Sequence, residues 1–281
     1  MELARSQGWK WSIRHRRIAA LVITLAMLLV WLAGAHWIRI SLGHPAIYSG
    51  ATLLLCLVGL MLLGLRKRLI VLPLWSVKTW VQVHIYTGLF ACAAFVVHVP
   101  AIIATGRLEG PLSWLFIIVS LSGFYGLYIS RTAPKRLTAV TMEPRYDRIS
   151  WHRDQIALAA QKTVSELGDS PDRAVLQSLY SAALQPYFNS TLPLRYLLFP
   201  SMVRRRRLIH AVVENHRYLD QMVLAAANRL SSLLRQRDDL DYQHAIQFRL
   251  RAWVTVHSAM ASLLVIWSTV HAYVAIGMLG R

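Results

Sequence analysis

Among the eleven histidines of the chain, two pairs are separated by fourteen residues: His84 with His98, and His257 with His271. Both pairs lie in long apolar runs, where an ionisable ring is costly and therefore marks a site that needs one. An imidazole in such a place can handle a proton, bond a neighbouring helix or bind a metal. Fourteen residues is close to a whole number of helical turns. The two rings of a pair therefore leave nearly one face, about 21 Å apart along the axis. The two runs also match each other. "KTWVQVH" at 78–84 aligns with "RAWVTVH" at 251–257, and Val97-His98 aligns with Val270-His271. Two such helices, parallel and starting at the same depth, set His84 against His257 and His98 against His271. Each facing pair can clamp one flat macrocycle between two imidazoles. The pattern predicts two b haems, held without covalent bonds, with these four histidines as the iron ligands.

Small residues fit that reading. Gly88 follows His84 by one turn, Ala91 and Ala94 come next, and Ala259 and Ala261 follow His257. They would let a porphyrin approach the backbone, although small residues also serve close helix packing. Lys78 and Arg251 precede the inner ligands and could meet the propionates of an inner haem or lipid phosphate. Arg39 and Arg107 are the choices at the outer side. No CxxCH motif and no CxxC cluster occurs, and Cys56 and Cys92 read as small core residues.

The elements that must position these residues are membrane helices. Hydrophobic residues make up 56% of the chain and charged ones 16%, too little charge for a soluble domain of this length. Five apolar runs are long enough to span a bilayer: Ile18–Ile38, Ala46–Leu65, Trp80–Ile103, Leu112–Ile129 and Ala252–Leu279. The first is read as an uncleaved anchor rather than a signal peptide, because its apolar run is too long for the usual leader. The acids are mostly confined to one central region. That sets four spans in 1–130, a helical insert at 131–251, and a fifth span at 252–281 with the second pair of ligands. The fold class expected is an all-α membrane protein. Five Lys or Arg residues lie in the N-terminal tail, four in 66–78 and nineteen in 131–251. By the positive-inside rule these segments are cytoplasmic and the C-terminus is on the outer side of an inner membrane. The net charge of +18 is thus mainly a topology signal. It also suits anionic membrane lipid, and nucleic acid is not the expected partner.

"HIYTGLFACAAFVVH" and "HSAMASLLVIWSTVH", with a third span between them, resemble the di-haem membrane cytochromes b. More distantly the spans are similar to the transmembrane part of ferric reductases. The resemblance covers about 78–130 and 252–278. It implies two ligand helices supplying two histidines each, with the helix between them carried along. The chain departs from the respiratory members, which carry a Pro-Glu-Trp-Tyr quinol motif. Here the nearest string is "MEPRYD" at 142–147. Glycine-rich dinucleotide loops, as in the ferric reductases, are also missing from this sequence.

The insert reads as helical. Ser150 is a candidate cap for "WHRDQIALAAQKTVSEL", and Pro171 a candidate first residue for "DRAVLQSLYSAALQ". Residues 208–236 show a long amphipathic period, and Asp238, Asp239 and Asp241 suit the start of a further helix leading into the fifth span. "LRYLLFP", followed by Arg204–Arg207, sets an apolar patch beside a basic cluster. That suits a membrane surface, with a protein docking face as the alternative. His152, His210, His216 and His244 have no zinc spacing. His36 and His44 near the outer surface are lesser candidates for a third ligand or a quinone contact.

The function expected is electron transfer across the membrane, as a carrier or as the cytochrome b subunit of an oxidoreductase. Both axial positions of each iron would be filled, which favours electron transfer over oxygen chemistry. Donor and acceptor would be other molecules: a quinol, or a redox protein on the cytoplasmic or outer side. The alternatives are a quinol-oxidising or metal-reducing subunit, and a haem-free transporter or scaffold that uses the histidines for protons or metal.

Overall fold

The computed structural model describes residues 13–41, 43–68, 76–99, 101–137, 146–167, 171–201, 203–214 and 220–279. Every regular element among the described residues is helical. They are α1 (Ile13–Ile40), α2 (Pro45–Arg68), α3 (Val77–His98), α4 (Glu109–Leu137), α5 (Ile149–Ser165), α6 (Pro171–Leu179), α7 (Gln185–Asn189), α8 (Leu194–Leu198), α9 (Val203–Glu214) and α10 (Gln221–Leu279). Five of these helices, α1 to α4 and α10, are long and apolar enough to cross a membrane. The chain is an all-α, multi-pass membrane protein. Two compact units make it up: Met1–Phe124 with Thr255–Arg281, and Tyr125–Val254. The expected insert, 131–251, falls inside the second.

In the first unit each of the five membrane helices contributes to one apolar core. Trp31 comes from α1, Leu53 and Leu57 from α2, Ala91, Ala94 and Phe95 from α3, Phe116 from α4 and Leu264 from α10. Phe95 and Phe116 stack with ring centroids 4.1 Å apart, which joins α3 to α4. The Trp31 indole N–H donates to the Thr52 hydroxyl at 3.1 Å, satisfying a donor that lipid could not satisfy. Ala91 and Ala94 are almost wholly buried here, so they serve helix packing rather than an open face.

Local signals set the ends of α3. The Ser76 hydroxyl accepts from the Thr79 N–H at 3.2 Å and caps its start. The helix stops at His98, earlier than the apolar run to Ile103, because Val99 precedes a proline and leaves the helical region. Ile102 beyond it has a φ of 63°, a left-handed conformation that is strained for a β-branched residue.

The second unit has its own core, built from α5 (Ile149, Ile156, Ala160, Val164), the α6–α7 run (Leu176, Leu184, Phe188), Val212 of α9 and the first part of α10 (Val223, Ala227, Leu230, Leu234). Between α6 and α7 a wider π turn spans Tyr180–Leu184, with the Gln185 N–H bonded to the Tyr180 carbonyl. Pro186 follows it. The wider turn gives room for a ring that would clash with a carbonyl of a regular α-helix.

Three local expectations differ from the structure. α5 begins at Ile149, straight from a 3-10 turn at Tyr146–Arg148, so Ser150 lies inside the helix and does not cap it. Ile149 is fully buried, and its anchoring fixes the start instead. The period over 208–236 is divided between α9 and α10: Asp220 is not helical and its carboxylate accepts from the Gln221 N–H at 2.8 Å. No helix starts at Asp238, Asp239 and Asp241, because α10 runs through them without a break. The Asp241 carboxylate is taken up by side-chain partners instead. Arg237 Nε is 3.3 Å from it, Arg153 Nε forms an ion pair at 3.0 Å, and both guanidiniums donate to the Ser190 carbonyl, at 2.7 Å from Arg153 and 3.0 Å from Arg237. Pro171 does begin α6, as expected.

Candidate functional site

The four paired histidines all lie in the first unit, two on α3 and two on α10. His98 and His271 come together with ring centroids 6.5 Å apart and planes at 75°. His84 lies within electrostatic range of His257. The register implied by the matched runs therefore brings His98 to His271 at one end and His84 towards His257 at the other.

The spacing of the first pair can be compared with metal chemistry. An imidazole nitrogen sits about 2 Å from a bound metal and roughly 1.2 Å from its own ring centre, so rings on opposite sides of one metal have centroids about 6.4 Å apart. The observed separation is 6.5 Å, so these two rings would hold a metal ion if both turned Nε2 to it. Direct hydrogen bonding between the rings would bring them closer.

A second regularity concerns which nitrogen each ring commits. In all four rings Nδ1 is the atom turned to a neighbour. His84 Nδ1 is 3.2 Å from the Leu60 carbonyl, His98 Nδ1 is 3.0 Å from the Ser49 hydroxyl, and His257 Nδ1 is 3.2 Å from the Ser122 hydroxyl. His271 Nδ1 is 3.9 Å from the Glu109 carboxylate. Leu60 offers a carbonyl, which only accepts, so His84 donates from Nδ1. The Ser49 hydroxyl also reaches the Pro45 carbonyl at 2.9 Å and the Ala46 carbonyl at 3.2 Å; with its hydrogen on either carbonyl, its oxygen accepts from His98. In that tautomer the lone pair is on Nε2, the atom a metal would take. α2 thus orients the two rings of α3, and α4 orients the two rings of α10. Ser49, Leu60, Ser122 and Glu109 were not singled out in the sequence. A serine in a span has no distinctive signal, and a backbone carbonyl has none at all.

Space at the site is uneven. A methyl added at Gly88 would meet nothing within 4 Å, so there is room one turn from His84. At Gly50 a methyl would lie 3.0 Å from His98 Cε1, so a side chain there would press on the ring. Gly123 of α4 packs at ordinary contact against His257. A haem would need axial nitrogens from both helices and room beside them: the residues offer one pair of rings 6.5 Å apart, His98 with His271, and open space beside Gly88 near the other pair.

The other expected site residues are less integrated. Lys78 is exposed in the first turn of α3. Arg251 belongs to the second unit, where its guanidinium carbon lies 4.2 Å over the Tyr146 ring. Tyr146 also bonds His244, with the hydroxyl 3.2 Å from Nε2. His36 and His44 are exposed, and His216 and the side chains of Arg204 and Arg205 lie outside the described residues. Cys56 and Cys92 are both free thiols, partly buried against the core of the first unit. Among the described residues, no three or more of His, Cys, Asp and Glu gather closely enough to hold a metal ion.

A cleft of about 600 Å³ opens in the same unit, lined by Ile103, Gly106, Gly110, Trp114, Leu263 and Trp267 among others. Its walls are mainly apolar, and Gly110 adjoins Glu109, the partner of His271. No protein-family model, no curated protein and no solved structure matches the chain.

Proposed function

We propose that the chain moves electrons across a membrane through two b haems, one held by His84 and His257 and the other by His98 and His271. The observation that carries this reading is the 6.5 Å spacing of the His98 and His271 rings, with His98 Nδ1 at hydrogen-bond distance from Ser49 and His271 Nδ1 3.9 Å from the Glu109 carboxylate. The chemistry such a group supplies when bound is reversible one-electron transfer. The residues of this chain hold it and set its environment. α2 and α4 fix ligand orientation through Ser49, Leu60, Ser122 and Glu109. The apolar core around Trp31 and Phe95 keeps water out between the two ends. Lys78 remains a candidate to meet carboxylates at the inner end; Arg251, the other residue expected there, belongs to the second unit and lies over the Tyr146 ring. The asymmetry in basic residues supports a cytoplasmic N-terminus and second unit, with the C-terminus outside. A reporter joined after Arg281 would test that orientation. The redox partners are other molecules, with a quinol or a redox protein as the expected classes.

A pyridine haemochrome assay on the purified protein tests the reading. It predicts two b haems per chain with low-spin, six-coordinate spectra. A haem-free preparation from cells well supplied with haem would favour a transporter or scaffold in which histidines handle protons.

One observation favours a second reading, a quinol-oxidising subunit. The apolar cleft at Trp114 and Trp267 adjoins Glu109, a carboxylate near the outer pair. Quinol-dependent reduction of the outer haem, lost on filling the cleft by Ala104→Leu, distinguishes this from a carrier that only relays electrons.

A further inference from the structure

The second unit carries an exposed patch that the electron-transfer reading does not use. α8 and its end present Leu194, Leu198 and Phe199, which are 62%, 42% and 76% exposed. Phe199 terminates the helix, its N–H bonded to the Arg195 carbonyl at 2.9 Å, so the ring is held at a fixed corner rather than on a loose loop. Soluble surfaces rarely leave a phenyl ring so open without a use for it.

The exposed charges close to it in the chain are basic. Arg195 within α8 is exposed, and so are Arg206 and Arg207 in the first turns of α9. From Arg173 to Val213 the sequence contains no Asp or Glu. Asp238 and Asp241 lie near Tyr196 of α8 but are buried, so the exposed charges of this stretch are all basic. A surface that is apolar beneath and negatively charged above matches both parts at once. An anionic bilayer is that surface: acyl chains take the rings and leucines, and lipid phosphates take the guanidiniums.

We infer that Leu194, Leu198 and Phe199 insert into the headgroup region of an anionic membrane, with Arg195, Arg206 and Arg207 bound to lipid phosphate. The contact is reversible, because one short apolar patch with three to five cations is a weak anchor by itself. Its consequence is a second unit whose membrane contact depends on lipid charge.

The test uses the full chain, with Cys56→Ser and Cys92→Ser, reconstituted in lipid nanodiscs. An environment-sensitive fluorophore is attached at Phe199→Cys, and in a separate sample at Gln161→Cys on the exposed side of α5. Discs of phosphatidylcholine are compared with discs that also contain phosphatidylglycerol. The expected result is a blue-shifted emission at 199 only with phosphatidylglycerol, abolished by Arg206→Gln with Arg207→Gln or by high salt. The probe at 161 should report water in every case. Emission at 199 that is red in both lipids overturns the inference. Emission that is blue in both, and unchanged by loss of the two arginines, also overturns it and makes the patch a protein contact. Phe199, Gln161, Arg206 and Arg207 are exposed and Cys56 and Cys92 partly buried, so helical circular dichroism of each variant against wild type checks the fold.

Discussion

The Ser49 hydroxyl of α2 lies 3.0 Å from His98 Nδ1 of α3 and 2.9 Å from the Pro45 carbonyl. With its hydrogen on that carbonyl the serine accepts, and the ring is then the Nδ1–H tautomer. Gly50, the next residue, leaves the space that the ring fills. One turn of α2 therefore determines both the tautomer and the position of a proposed ligand.

Ser49→Ala should weaken retention of the outer haem by roughly tenfold, the scale seen when the hydrogen-bond partner of a ligand is removed. It should also raise that haem's reduction potential, because a less basic imidazole donates less density to the iron. Gly50→Val should cost more, since the ring itself must move. Haem content and a redox titration of the two variants give the comparison. An unchanged outer haem in Ser49→Ala would mean that the ring is held in some other way.

The planes of His98 and His271 stand at 75°. Nearly perpendicular axial imidazoles leave the two iron d orbitals that take part in π bonding close in energy. The ferric outer haem should then show a strongly anisotropic low-spin electron paramagnetic resonance signal. Parallel planes would give a rhombic one. The spectrum of the oxidised protein, recorded with the inner haem removed by His84→Ala, isolates this signal.

Each haem in the proposal draws one ligand from α3 and one from α10, and this gives a pairwise pattern of loss. His98→Ala and His271→Ala should each remove the outer haem and largely spare the inner one. His84→Ala and His257→Ala should do the converse. Haem stoichiometry and the low-spin spectrum of the four variants decide it. Two intact low-spin haems in His98→Ala would break the assigned pairing.

The histidine pairs were legible because the chain states the pattern twice, once in 78–98 and again in 251–271. The five spans were legible because lipid demands about 20 apolar residues in a row, and little else in a sequence imitates that. The partners of the rings were not legible. Ser49 and Ser122 resemble any other serine in a membrane helix, and the Leu60 carbonyl has no side-chain signature. The misreading of Asp238, Asp239 and Asp241 has a related cause. A local rule, acids at a helix start, competed with a tertiary one, and the ion pairs of Asp241 with Arg153 and Arg237 decided the outcome.

That cluster should matter for stability. Asp241 is buried, and it faces two guanidiniums that also share the Ser190 carbonyl. Asp241→Asn keeps the shape but leaves Arg153 and Arg237 uncompensated, at a cost of roughly 3–5 kcal/mol. Replacing Arg153 by Met in the same chain removes one of the two cations and should restore part of the loss. Limited proteolysis of the second unit, single variant against double, measures the recovery. Equal cleavage in wild type and Asp241→Asn would show that the cluster contributes little.

Tyr196 of α8 gives the second unit an alkaline limit. Burial, with Asp238 and Asp241 adding, pushes its hydroxyl well above the ordinary value of 10.0. In the unfolded chain the group ionises near that ordinary value, so between it and the folded value the folded form holds the proton and the unfolded form does not. Stability is fully present below about pH 10 and falls as the pH rises through the folded value. Tyr196→Phe cannot ionise and should flatten this alkaline decline while leaving neutral-pH stability little changed. Helical circular dichroism followed from pH 8 to pH 12 in wild type and variant tests it, with those limits chosen at about two units either side of the ordinary tyrosine value. Parallel loss of signal in both proteins would assign the alkaline limit to other groups.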